Sequence, residues 1–180
     1  MSTRQKWLLG FLLVISASAA FPQSSAPLFS GNVTESELVH ALMLEPDAKT
    51  RGIKPSSSVS TPRKPPSASL LITFVTNSAV LTGQAKSSLD VVARALKDGR
   101  LNDFRFAIEG HADPRGSSQH NLQLSKERAD AVSNYLVTAH GIPKSRLHAE
   151  GKGDRELMNL QNIASPENRR VTLINLGEAR

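Results

Sequence analysis

The sequence of 180 residues predicts an α+β domain of two layers in the order β-α-β-α-β-(α)-β, with a mixed parallel and antiparallel sheet and its helices on one face. From residue 70 onward, short β-rich runs alternate with longer segments whose apolar residues recur at helical spacing. Two successive βα units imply parallel strands joined by crossovers, and an extra late strand implies an antiparallel partner.

Leu70–Val75, LLITFV, is a short β-rich run and is expected as a buried strand. Thr82 then offers an N-cap for a helix to Lys97, with Ala85, Leu89, Val92, Ala93 and Leu96 on one face and Gly99 just past its end. At Arg105–Gly110, Phe106 and Ile108 alternate with Arg105 and Glu109, the period of a strand. The next helix is expected to begin between Ser118 and Asn121 and to reach Thr138, ahead of Gly141 and Pro143. Its inner face takes Leu122, Leu124, Ala129, Val132, Tyr135 and Leu136. Arg146–Glu150 reads as a third strand, a turn of helix follows, and Val171–Leu176 closes the domain, leaving 177–180 as a tail.

The domain so defined covers 70–176, and the residues before it have a different character. Residues 1–20 read as a signal peptide: Arg4 and Lys6, then the apolar run Trp7–Ile15, then the small-x-small triplet Ala17-Ser18-Ala19. That run falls short of the roughly 20 residues that cross a bilayer, so no membrane span is expected after cleavage. Residues 21–69 are polar, with one short amphipathic helix at 34–44 (capped by Thr34 and Glu37) and a Pro/Ser-rich linker at 54–69 able to reach on the order of 50 Å if extended. The helix is expected to rest on the domain, with docking to an envelope protein through 34–53 as the other reading.

Net charge is +6 and falls to +4 without Arg4 and Lys6, with the cations scattered among acids and few aromatics to stack bases. Nucleic acid is therefore not the expected partner. The chain has no cysteine, which excludes disulfides, thiolate metal sites and a lipidated cysteine.

Ligands of open α/β sheets collect beyond the carboxyl ends of the strands. The first predicted strand ends at Thr76 and Asn77; the second at His111, Ala112 and Asp113, from which a turn leads into the long helix that carries Arg128 between Leu124 and Val132. A carboxylate and a guanidinium would share a pocket there. Two readings stand at this point. Asp113 and Arg128 neutralise each other, or they are held apart, one awaiting an ammonium and the other a carboxylate gripped bidentately, as a zwitterionic amino-acid group would supply.

The segment EGHADPRGSSQHNLQLSKERADAVSNYL resembles the signature of the OmpA-like peptidoglycan-binding domain (OmpA, Pal and MotB among its members), EGHTDxxGSxxYNxxLSxxRAxAVxxYL. FVTNSAVL before it, RLHAEGKGD and NRRV after it, and the 15-position spacing from Asp113 to Arg128 extend the likeness. The resemblance implies a non-enzymatic module without cofactors. It would be periplasmic, peptidoglycan-associated and near the outer membrane. Carried over, Asp113 takes the ammonium and Arg128 the carboxylate of diaminopimelate in Gram-negative stem peptides, with Thr76, Asn77, Ala112, Asn121 and Leu124 as supporting pocket. Three positions depart from the pattern: Val75 for a frequent acid, Ala112 for threonine, His120 for tyrosine.

Two other readings are weighed beside this one: an envelope metal-assisted hydrolase using His111, Asp113 and His120, and an assembly scaffold. The first lacks a third ligand with support around it, so a strand-end histidine bonded to backbone is expected instead and no metal site is assigned. For Asn168, Arg169 and Arg170, a brace at the pocket edge and a surface pair meeting nearby acids are equal alternatives.

Overall fold

A computed structural model describes residues 26–30, 33–43, 65–75 and 77–178. The signal-peptide reading, most of the linker and the tail from 179 lie outside these residues, as does Thr76. Five strands form one sheet: β1 (Leu28–Phe29), β2 (Ser67–Leu70), β3 (Phe104–His111), β4 (Leu147–Gly153) and β5 (Val171–Glu178), in the order β1-β2-β5-β3-β4. Three helices, α1 (Glu35–Leu42), α2 (Gly83–Lys97) and α3 (Ser118–His140), pack in a row, α1 against β2 and α2, α2 against α3, and α3 against β3 and β4. The two-layer architecture with a mixed sheet is the one expected. Strand β5 runs antiparallel to both β2 and β3, so those two point the same way although β5 separates them, and β4 is parallel to β3. The carboxyl ends of β2 and β3 therefore open on one edge.

Cross-strand partners share a face of a sheet. One row, Leu70, Val171, Gly110 and Gly151, faces the helices; the adjacent row, Ser69, Thr172, Glu109 and Glu150, faces away. The first row shrinks from leucine to glycine where α3 lies. A Cβ on Gly110 would run into the Ser125 carbonyl oxygen, and one on Gly151 would sit 2.6 Å from the Lys126 amide nitrogen. Helix α3 thus rests on bare strand backbone, and in its N-terminal half only small or polar residues fit underneath. Asn121 and Ser125 are buried there, while Leu122 and Leu124, expected inside, are only partly covered. Ser125 Oγ donates to Leu122 O (2.9 Å) and accepts from Gly153 N (2.9 Å), so the buried hydroxyl is satisfied. Farther along, Ala129, Val132 and Leu136 enter the core as expected.

The first strand lies earlier than expected. Only Leu70 of the LLITFV run is in β2, which begins at Ser67, inside the stretch read as linker. Ser67 and Ser69 are buried because the ladders to β1 and β5 use their backbone groups and Ser69 Oγ meets Thr172 Oγ1 at 2.9 Å. Apolar content pointed to the residues after Leu70, but hydrogen bonding placed the strand before them. Ile72 still enters the core, and Phe74 bridges Leu81 across a loop in which Val75 N donates to Val80 O (3.1 Å).

Helix α1 carries a full capping box: Thr34 N donates to Glu37 Oε2 (2.8 Å) and Glu37 N to Thr34 Oγ1 (3.3 Å). Its Leu38, Val39 and Leu42 are fully buried with the sheet core, and Asn175 Nδ2 donates to the Leu42 carbonyl (2.7 Å) at its last turn. A docking role for 34–53 would therefore have to use the outer face of α1 or residues 44–53, which lie outside those described.

We expect Leu42→Ala to lower the stability of the whole domain by about 2–5 kcal/mol, the usual cost of emptying a fully buried leucine site. Urea unfolding followed through the Tyr135 environment would show one shifted transition; an unchanged midpoint would mean that α1 folds apart from the core. Gly110→Ala should cost about 1–3 kcal/mol in the same assay, because α3 must lift off the strand to admit the methyl group.

Candidate functional site

Where β2, β3 and the start of α3 meet, a cavity of about 610 Å3 is lined by Phe74, Asn77, Ala112, Asp113, His120, Asn121, Leu124, Arg128 and Arg169 among others. The expected pocket residues Asn77, Ala112, Asn121 and Leu124 are thus brought together with Asp113 and Arg128; Thr76 is outside the described residues. Ala112 is anchored by its amide donating to Gly153 O (2.8 Å), which pins the exit of β3 against the end of β4. Asn121 sits under the turn, donating from Nδ2 to Asp113 O (3.1 Å) and Asp154 Oδ2 (3.1 Å). His120 Nε2 lies 2.9 Å from Asn77 Oδ1 and ties the helix start to the 74–81 loop, with Asn77 held at a left-handed φ of 49°.

Asp113 and Arg128 both face this cavity, and no ion pair joins them. Arg128 donates from Nε to the Ser78 carbonyl (3.1 Å), and its guanidinium carbon stands 4.9 Å from the centre of the Phe74 ring, a cation–π arrangement. Among the described residues no carboxylate pairs with it. Burial and then the neighbouring Arg169 weaken its hold on its proton, only partly offset by Asp113. A permanent cation here is half desolvated, and its terminal nitrogens have no hydrogen bond among the described residues.

Asp113 is not waiting unpaired. Its side chain is 6% exposed and is gripped by Arg115, from Nε to Oδ1 (3.0 Å) and from Nη2 to Oδ2 (2.7 Å), while Arg169 Nη1 reaches Oδ2 at 2.8 Å. The Arg115 hydrogen bonds, supported by Arg169 and opposed by burial, hold its carboxyl down at about 2. Sequence reasoning placed Arg115 only in a turn and gave it no role; an arginine two residues after a strand-end aspartate was the available signal. Of the three residues before the last strand, Arg169 braces the pocket. Arg170 also lines the cavity but donates to Glu156 O (3.2 and 3.3 Å), and the buried Asn168 organises the preceding loop by accepting from Met158 N (2.8 Å) and Asn159 N (2.9 Å).

His111 lines the cavity with Asp113 and His120, but its imidazole bonds neither. On the sheet face away from the helices its Nε2 lies 3.4 Å from Thr172 Oγ1 and 4.0 Å from Glu109. Ligand atoms of Glu109, His111 and Glu156 fall within 4.8 Å of one another, the donor set a divalent ion would use. Lys152 Nζ, however, is 3.0 Å from both Glu109 and Glu150, and buried Arg170 stands beside the same group, so these carboxylates already have counter-charges.

Residues 73–170 match the OmpA family. The peptidoglycan-associated lipoprotein of Rhizobium meliloti is 37% identical over 82 residues, which are 46% of this chain and 45% of that protein. Outer membrane protein A of Klebsiella aerogenes is 34% identical over 85 residues, 47% of this chain and 24% of that one. The matched stretch thus spans less than half of either relative. The crystal structure of the peptidoglycan-associated lipoprotein from Burkholderia pseudomallei aligns with a TM-score of 0.52 at 28% identity, over 59% of this chain and 88% of that one.

Burial, with the positive charge of Arg170 and Lys152, pushes the His111 imidazole from 6.5 down to about 3, so it is neutral in the fold. Between those values the unfolded chain binds the extra proton, and stability present above pH 6.5 is lost as pH falls toward 3. We expect unfolding free energy to drop by up to about 1.4 kcal/mol per pH unit between pH 6 and 5 from this group, and His111→Gln to flatten that slope in parallel urea titrations.

Proposed function

This chain belongs to the OmpA family, and on that premise we propose that it is a non-enzymatic binding module of the Gram-negative cell envelope that holds peptidoglycan through the diaminopimelate of its stem peptides. The observation that carries the reading is the separation of charges in the cavity: Arg128 lacks a carboxylate partner among the described residues while sharing the cavity with the near-buried Asp113. A free amino-acid end offers an ammonium and a carboxylate a few ångströms apart. The carboxylate meets Arg128, whose planar fork suits two parallel hydrogen bonds, and the ammonium meets Asp113. The Phe74 ring and Leu124 supply apolar wall for the methylenes between the two ends of the ligand.

Two charge-assisted contacts, each worth about 1.5–3 kcal/mol before association costs, suit a Kd between micromolar and millimolar. That is weak for a soluble ligand and sufficient for a polymer that repeats it, because high local concentration makes rebinding fast. Export by residues 1–20 and the Pro/Ser-rich composition from residue 54 onward would let the domain sit in the periplasm and reach the wall from a second attachment point. Among the described residues no helix is long and apolar enough to cross a membrane.

Asp113→Ala and Arg128→Ala should each abolish co-sedimentation with purified sacculi, with circular dichroism and the unfolding midpoint showing the fold retained. Wild-type-like pelleting of both variants would refute the site.

A further inference from the structure

Resting on the reading above, we infer that Arg115 is a specificity-determining competitor: its guanidinium fills the ammonium position on Asp113, and a ligand binds by exchanging its own cation for it. A carboxylate has about four lone-pair positions. All four are taken here, on Oδ1 by Arg115 N (3.2 Å) and Nε (3.0 Å), and on Oδ2 by Arg115 Nη2 (2.7 Å) and Arg169 Nη1 (2.8 Å). An incoming ammonium has no acceptor until a donor leaves.

Arg115 is the donor free to go. Its side chain is 66% exposed, against 36% for Arg169, and Arg169 Nη1 is also anchored to the Ala164 carbonyl (3.0 Å). Released, Arg115 gives up two bonds to Asp113 that the incoming ammonium and water replace, whereas Arg169 would also have to abandon a bond that the ligand does not replace, the one to the Ala164 carbonyl. The grip is built locally: Pro114 and the Arg115 amide bonded back to Oδ1 make an Asx-type turn that aims the side chain at the carboxylate two residues earlier. The same fork recurs outside the cavity at Asp98-Gly99-Arg100, with Arg100 N and Nε on Oδ1 (2.9 and 2.8 Å) and Nη2 on Oδ2 (2.9 Å). Two such forks in different surroundings show that Asp-x-Arg closes without help from the pocket, and at Asp113 the closed form lies across the ligand's path.

A competitor of this kind multiplies the intrinsic affinity by the fraction of open molecules, and it discriminates, because a ligand without an ammonium cannot replace the guanidinium. The full chain and its Arg115→Ala variant would be titrated by calorimetry with meso-diaminopimelate and with pimelate, the dicarboxylate that lacks both amines. Removing Arg115 should tighten diaminopimelate binding roughly three- to tenfold, as an open fraction of about one-third to one-tenth implies, and should not tighten pimelate. In the wild type, the Arg115 Nε–H NMR signal should shift toward its solvent-exposed position as diaminopimelate is added. Unchanged or weaker diaminopimelate binding by Arg115→Ala, with the wild type still binding, overturns the exchange and leaves the wall-binding reading intact. Tightening of both ligands alike overturns it too, since that reflects easier access to the cavity and not an exchange of cations. Binding by neither protein removes the wall-binding reading and the exchange with it.

Discussion

Helix α3 reaches the sheet only because Gly110 and Gly151 leave bare backbone beneath it, and that close seat positions everything at the strand ends. With side chains at those positions the helix would ride higher by the thickness of a methyl layer, and protein interiors do not absorb such a change without shifting neighbours. Seated as it is, α3 brings Asn121 under the Asp113 carbonyl and carries Arg128, two turns on, to the Ser78 carbonyl and the Phe74 ring. The sheet supplies the carboxylate from the exit of β3, and the helix supplies the cation from its flank.

The electrostatics follow from that seating. Arg128, Arg169 and Arg115 share the cavity with the near-buried carboxylate of Asp113, so its lining carries more positive than negative charge. Asp113 relieves its burial with four hydrogen bonds, while among the described residues Arg128 has a carbonyl and a ring face. Of the two charges, the arginine is therefore the one the fold leaves less satisfied. On the opposite face of the sheet a second polar group, Glu109, Glu150, Lys152, Arg170 and neutral His111, is balanced internally. Comparable residue types thus leave Arg128 without a carboxylate partner among the described residues on one edge and neutralise one another on the other.

Much of this architecture was legible in advance where local chemistry governs. The Thr34 and Thr82 caps, the left-handed cap at Gly141 and the alternation of Phe106 and Ile108 all arise from groups a few residues apart, and they appear where their patterns place them. Reading failed where hydrophobicity was asked to choose between neighbouring segments. LLITFV has the stronger apolar signal, yet the ladder formed at Ser67–Leu70, since small hydroxyl residues can be buried when the β1 and β5 backbones and Thr172 satisfy them. Leu122 and Leu124 were expected inside and Asn121 and Ser125 were not, because the glycine-floored approach that admits only small groups is made by Gly110 and Gly151 together, on two separate strands that meet under α3 only in the assembled sheet.

Sequence alone determined the order of elements, the helix caps, the presence of Asp113 and Arg128 at their spacing and, through Asp-x-Arg, the tendency of Arg115 to fold back on its neighbour. Only the tertiary structure decided that Asp113 and Arg128 share a cavity without touching, that Arg169 and not Arg170 bonds Asp113, and that the His111 imidazole meets Thr172 on the far face. The physical reason is range. Caps and turns are closed by atoms within a few residues, whereas the side a buried charge faces, and the partner it finds, depends on strands and helices that meet only when the whole sheet is assembled.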